Sequence, residues 1–245
     1  MSDDFYIGYR KTAPAALARF VRIATFGIVV TTCATAALIG ALQQPAGKGK
    51  YEFGTTTEFN ATILADPVPH AIVHTEDNAL VGDRTALLVA RGKHGVEEET
   101  FADGAKAVRF MGTRIERDDV RMIELADDEK FEAIANVPVQ NSSGNPQEIA
   151  LEGELIDTKC YLGVMNPAEG KVHRACAVVC LRGGVPPGLM VRDASGHARV
   201  IVLNVRSEGG PDLNPEWAGR VVRVSGALED LSGLPILRAR TIALR

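Results

Sequence analysis

Three of the chain's four cysteines fall in one segment, CYLGVMNPAEGKVHRACAVVCLRGGVPPG (Cys160–Gly188), with a histidine among them. The spacing is C-x12-H-x2-C-x3-C, from Cys160 through His173 and Cys176 to Cys180. Thiolate and imidazole are the donors that zinc, copper and iron–sulfur centres select. HRACAVVCL reads as a short helix that ends at Gly183-Gly184 and is stopped by Pro186-Pro187. At about 100° per residue, His173, Cys176 and Cys180 lie within about 60° of one another on one helical face. Cys160, at the end of the preceding strand, reaches that face through the MNPAEG turn, so three thiols and one imidazole converge.

A metal or cofactor competes here with two other fates. A disulfide from Cys160 to Cys176 or Cys180 would staple strand to helix and leave one thiol as a small buried hydrophobe, with His173 as a cap or packing residue. Dithiol redox chemistry is the third reading. The C-x3-C pair resembles the ligand spacing of copper sites in Sco-type and oxidase copper domains, with Met165 or Met190 as a soft extra ligand. A covalent c-type haem is excluded, because no C-x-x-C-H occurs.

Other chemistry is sparse. RGKHGVEEE (Arg91–Glu99) reads as a solvated charged turn around His94. His70 and His74 are four apart, but Pro67 and Pro69 argue against a helix that would pair them. His197 sits in a hairpin turn, DASGH, and the acidic run Asp127, Asp128 and Glu129 has no EF-hand around it. No Walker loop, G-x-S-x-G or H-E-x-x-H is present. A Cys–His nucleophile would need an orienting carboxylate, and only Asp157 or Glu169 is at hand. An enzyme is the weaker reading.

The elements that must hold this cluster follow from the rest of the chain. Its 245 residues carry 27 Lys+Arg against 31 Asp+Glu, a formal net charge of -4, so no basic surface for nucleic acid is implied. A mean hydropathy of +0.02 with 24% charged residues implies one very apolar stretch. That stretch is IATFGIVVTTCATAALIGAL (Ile23–Leu42), free of charge and about 30 Å long as a helix, the thickness of a bilayer core. Its threonines can return their hydroxyls to backbone carbonyls one turn back. Arg10, Lys11, Arg19 and Arg22 precede it and only Lys48 and Lys50 closely follow, which orients the N-terminus to the cytoplasm. A signal peptide cleaved near Ala34-Thr35-Ala36 is the rival, but the apolar run continues past that site; Thr at the positions before Cys33 disfavours a lipoprotein.

Beyond the linker the strand signals dominate. Phe59–Leu64, Ala86–Ala90, Ala107–Met111 and Arg121–Leu125 form one group. Ile149–Ile156, Leu189–Arg192, Ala198–Val205, Arg220–Ser225 and Pro235–Ile242 form another. AVRFMGTRIERDDVRMIE (Ala107–Glu124) lies over VVRVSGALEDLSGLPILR (Val221–Arg238) without gaps, pairing Arg109 with Arg223 and Gly112 with Gly226. FNATIL (Phe59–Leu64) lies more loosely over LEGELI (Leu151–Ile156). The expectation is a duplicated five-stranded unit of Greek-key, OB-like barrel type. The fold class is thus mainly β with one N-terminal transmembrane helix and two small OB-like Greek-key barrels, the second carrying a short Cys/His helix insertion. The segments run 1–22 (cytoplasmic), 23–42 (anchor), 43–50 (linker), 51–135 (first module), 136–147 (linker) and 148–245 (second module).

The segment from EGELIDTKCYLGVM to GGVPPGL resembles a block in a family of uncharacterised bacterial single-pass membrane or exported proteins, written CYLGVMNPxxGKxHRxCAxxC. The N-terminal DDFYIGY is similar to that family's opening. The matching residues are Cys160, Tyr161, Gly163, Asn166, Pro167, Gly170, His173, Cys176 and Cys180. The resemblance implies a single-pass respiratory-membrane or envelope protein and carries no activity with it. Anchor and cluster together lead to a membrane-anchored periplasmic accessory or electron-transfer-linked subunit of a membrane redox complex, in the bacterial inner membrane, partnered by membrane proteins and not nucleic acid. Zinc, copper or iron–sulfur would sit at Cys160, His173, Cys176 and Cys180. The alternatives are a binding or assembly module with a structural Cys cluster, and a thiol oxidoreductase or copper-delivery protein.

Overall fold

The computed structural model describes residues 13–42, 49–74, 84–101, 104–126, 130–135, 144–206 and 209–245. The start of the N-terminal segment, most of the first linker (43–48), part of the second (136–143) and the acidic run 127–129 lie outside the described residues. Helix α1, Ala15–Leu42, is long and apolar enough to cross a membrane. It starts two turns before Ile23 and takes in Arg19 and Arg22, because nothing after Pro14 interrupts the backbone ladder (Ala18 N–H to Pro14 O, 2.9 Å). Thr31 returns its hydroxyl to Gly27 O at 2.8 Å, so the polar group is satisfied within the helix.

The remaining strands are β1 (Lys50–Tyr51), β2 (Thr57–Leu64), β3 (His70–Val73), β4 (Arg84–Val89), β5 (Lys106–Arg117), β6 (Val120–Leu125), β7 (Glu132–Ala133), β8 (Gln147–Asp157), β9 (Pro187–Arg192), β10 (Ala198–Asn204), β11 (Val221–Leu231) and β12 (Leu234–Leu244). Two closed five-stranded barrels result, β2-β3-β4-β6-β5 and β8-β9-β10-β12-β11. In each, the first strand pairs with the second and fourth, and the third runs parallel to the fifth, which is the OB connection. Short β1 and β7 add to the flank of β5. The sequence signals did not single out β3, a four-residue strand behind Pro67 and Pro69.

The registers repeat across the two barrels. Leu87–Val89 pair with Met122–Glu124 as Val202–Asn204 pair with Ile236–Arg238. Phe59 faces Phe110 and Ala61 faces Val108, as Leu151 faces Val224 and Gly153 faces Val222. The aligned hairpin turns carry Asp118 (φ 53°) and Ser232 (φ 49°) at equivalent positions. Gly112 and Gly226 also match in cause. A Cβ at Gly112 would lie 2.9 Å from Glu124 O, and one at Gly226 would lie 2.0 Å from the equivalent Arg238 O. Gapless alignment of the two hairpins therefore reflects the same backbone built twice.

Each barrel has its own apolar filling, around Phe59, Leu88 and Phe110 in the first and Leu155, Leu203 and Val222 in the second. A third core joins them. It brings Leu87, Ile115 and Met122 from the first barrel together with Tyr161, Leu162, Val202 and Ile236 from the second. Residues 47–245 accordingly form one compact unit.

Candidate metal centre

The barrels differ at one loop. Leu64 pairs with His70 across a short turn, Ala65–Pro69, in the first barrel. At the equivalent point of the second, where Ile156 pairs with Gly188, the chain makes a detour through residues 158–186. That detour holds a π-turn, Cys160–Val164, and helix α2, Gly170–Arg182.

Local contacts fix both pieces. Asp157 Oδ1 accepts the Cys160 N–H at 2.8 Å, anchoring the π-turn to the end of β8. Tyr161 is buried beneath the Arg117 guanidinium, 4.2 Å from the ring centroid, a cation–π contact between insertion and first barrel. Leu162 and Gly163 lie so close to the Gly49–Lys50 backbone that a Cβ at Gly163 would sit 2.8 Å from Lys50 O. After the Asn166-Pro167 bond, which is cis, Gly170 opens α2 at φ +71° and donates its N–H to the Glu154 carboxylate, a favourable charge at a helix N-terminus. Arg174 donates to Ala218 O and Gly219 O at 3.1 and 3.3 Å, holding the helix against the second barrel.

The far end of α2 meets the first barrel. Gly95 N–H donates to Gly183 O at 2.8 Å, and a Cβ at Gly183 would stand 2.0 Å from Lys93 O. Only glycine permits this backbone approach, which gives the Gly183-Gly184 pair a role beyond ending the helix.

The three thiols come together as the spacing predicts. The sulfurs of Cys160, Cys176 and Cys180 lie within 4.8 Å of one another, with Cys160 and Cys176 at 4.0 Å, and all are free cysteines. Cys160 and Cys180 are buried and Cys176 is half-buried. His173 joins a second group instead. It lies within 4.8 Å of Cys160 and Asp157, and its Nε2–H donates to Asp157 Oδ2 at 3.1 Å. Imidazole and all three thiols do not share one 4.8 Å set; Asp157 links them by holding His173 through one oxygen and Cys160 through the other. Glu169, the other carboxylate at hand, pairs with Arg192 at 2.8 Å. Of the thioethers, Met165 is exposed, and Met190 is buried in the shared core.

Charge around the sulfurs is asymmetric. The Lys93 ammonium hydrogen-bonds the Cys176 sulfur, which raises the lysine pKa. The Cys160 thiol is pushed up by its hydrogen bond to Cys180, by burial and by the Asp157 carboxylate. Cys180 is pulled down by the same bond. The Asp157 carboxylate thus disfavours a thiolate on Cys160, and the bond from Cys160 favours one on Cys180.

Sequence reasoning assigned no role to four residues beside the cluster. Lys159, 2% exposed at its side chain, donates to Ala90 O at 2.8 Å and Gly92 O at 2.7 Å and pairs with Glu124. Glu124 also accepts from Tyr51 OH at 2.8 Å, and burial with that bond pushes Tyr51 up to about 12. Lys93 lies in the charged turn read as merely solvated. No local pattern marks these residues; an unflagged lysine beside Cys160 in an apolar insertion is the only trace. Two of the remaining histidines have other tasks: His70 Nδ1–H donates to Val68 O at 2.7 Å, and His74 Nε2 bonds Thr62 at 2.8 Å. Comparison with family models, curated proteins and solved structures finds no match.

Proposed function

We propose that this chain is a membrane-tethered accessory subunit whose joined barrels present a trithiolate metal site, linked to electron transfer in a membrane redox complex. One observation carries the site: three free thiols with their sulfurs within 4.8 Å, one pair at 4.0 Å. Thiolates bound at about 2.3 Å to a single zinc stand about 3.7–4.0 Å apart in tetrahedral or trigonal geometry, so a small inward shift completes the set. The compact triangle suits one soft ion, zinc or copper(I), better than an iron–sulfur cluster, whose thiolates spread around several irons. Lys93 offsets the excess negative charge of three thiolates, and Asp157 fixes Cys160 and His173 behind them.

The half-buried Cys176 is the exchangeable ligand, and Cys160 and Cys180 are the sheltered pair. Arg10, Lys11, Arg19 and Arg22 ahead of the apolar stretch Ile23–Leu42, against Lys48 and Lys50 behind it, support a cytoplasmic N-terminus with the barrels on the periplasmic side of the inner membrane. The test is metal analysis of the full chain, purified in detergent without a metal-binding tag. About one equivalent of zinc or copper per chain is expected, lost in Cys176→Ser and Cys180→Ser. Metal-free protein with Cys176 in a stable disulfide would overturn the site. Absence of the chain from any membrane complex after mild solubilisation would overturn the accessory role.

A further inference from the structure

The sulfur triangle has unequal corners. Cys176 is half-buried while Cys160 and Cys180 are buried, so a small solute meets Cys176 first. The partners open to Cys176 are unequal too. Cys180 stands four residues further along α2, and helical side chains so spaced hold their Cβ atoms about 5–6 Å apart. A disulfide needs about 3.5–4.5 Å. Cys160 comes from the π-turn, a separate piece of chain, and its sulfur already stands 4.0 Å from that of Cys176. About 2 Å remains to the bonded distance, within the reach of side-chain rotation.

We propose that Cys176 is a site of oxidation by hydroperoxides, that Cys160 is its resolving thiol, and that the disulfide they form expels the metal. This regulates the proposed metal site and rests on that reading. The Cys176 thiolate attacks one oxygen of hydrogen peroxide. The O–O bond breaks, and the leaving hydroxide takes a proton and departs as water. Cys176 is then a sulfenic acid. The Cys160 thiolate attacks the Cys176 sulfur, the S–S bond forms, the S–O bond breaks, and a second hydroxide leaves as water after protonation. Two electrons have passed from two sulfurs to the peroxide.

A zinc ion held by three thiolates keeps only Cys180 after this step and is released. Cys180 is buried and stays reduced, so a dithiol that opens the single bond restores the whole triangle. The disulfide also ties the π-turn to the middle of α2. One covalent link thereby replaces the ion as the tie between the two pieces of the insertion.

The test uses the full chain with Cys33→Ser, purified in detergent under reductant, loaded with zinc and then freed of reductant. Hydrogen peroxide is added, zinc release is followed with a chelating dye, and disulfides are located by peptide mapping. Release of one zinc per disulfide is expected, with Cys176 bonded to Cys160 in most of the product. Dithiothreitol should then restore zinc uptake. Metal-free Cys180→Ser should form the same bond, whereas Cys160→Ser should stop at a sulfenic acid on Cys176 that dimedone traps. An unreacted Cys176, zinc retained after Cys176 is oxidised, or Cys176 bonded mainly to Cys180 would each overturn the proposal. Failure of the reduced chain to take up zinc would overturn the metal reading itself, and the same peptide maps still decide which thiol resolves Cys176.

Discussion

Replacing Lys159 by Met tests whether one buried ion pair locks the two barrels together. The side chain is 2% exposed and its partner Glu124 10%, so solvent screens the pair little. Lys159 belongs to the insertion of the second barrel, while Glu124, Ala90 and Gly92 belong to the first. Removing the ammonium leaves a buried carboxylate held, among the described residues, by Tyr51 alone, and two carbonyl oxygens without this donor. Breaking a buried pair on one side costs about 3–5 kcal/mol. In a unit of this size that lowers the melting temperature by roughly 6–20 °C. Lys159→Met with Glu124→Leu removes both charges, and should recover at least about 2 kcal/mol relative to the sum of the single changes. Urea unfolding of the four proteins, followed by circular dichroism, gives the cycle. A single substitution costing under about 1 kcal/mol, or a double that is additive within about 0.5 kcal/mol, refutes the lock.

Gly226→Ala should destabilise by about 1–3 kcal/mol or more, because its Cβ would stand 2.0 Å from Arg238 O, whereas Gly144→Ala, with open space around it, serves as the urea-unfolding control. Burial lowers the pKa of His70, so its contribution is present above pH 6.5 and is lost as pH falls through the folded value. Stability of the parent should therefore decline from pH 6.5 downward; that part of the slope should be absent in His70→Leu, and an unchanged slope would remove His70 from the account. In the reduced, chelator-treated Cys33→Ser chain, iodoacetamide should modify Cys176 at least roughly tenfold faster than Cys160 or Cys180, since it is half-buried where the other two are buried. Peptide mapping that finds Cys160 modified first would sink the assignment of Cys176 as the exchangeable thiol.

The barrels were legible because their strands are short runs of apolar residues between turn formers, and because the second copy repeats the hairpin of the first residue for residue. The pairing of Phe59–Leu64 with Leu151–Ile156 shows how weak identity can still carry register: both runs place the same alternation against the same partner strand. The thiol triangle followed from helical periodicity. The carboxylate was narrowed to Asp157 or Glu169 without choosing between them. That choice depends on the direction in which the chain leaves β8, which turns Asp157 inward and gives Glu169 to Arg192. Lys93, Lys159, Glu124 and Tyr51 were hidden for a different reason. Their partners are distant in sequence, and a charged side chain looks alike whether it ends in water or in a sealed contact.

The insertion does two jobs with the same atoms. Cys160, Tyr161, Leu162 and Cys180 belong to the core shared by both barrels, and two of those four are also members of the sulfur triangle. Whatever binds the sulfurs in the folded chain and not in the unfolded one stabilises that mortar by mass action. The cluster thus behaves as a keystone: its chemical state sets how firmly the two barrels are held as a single body.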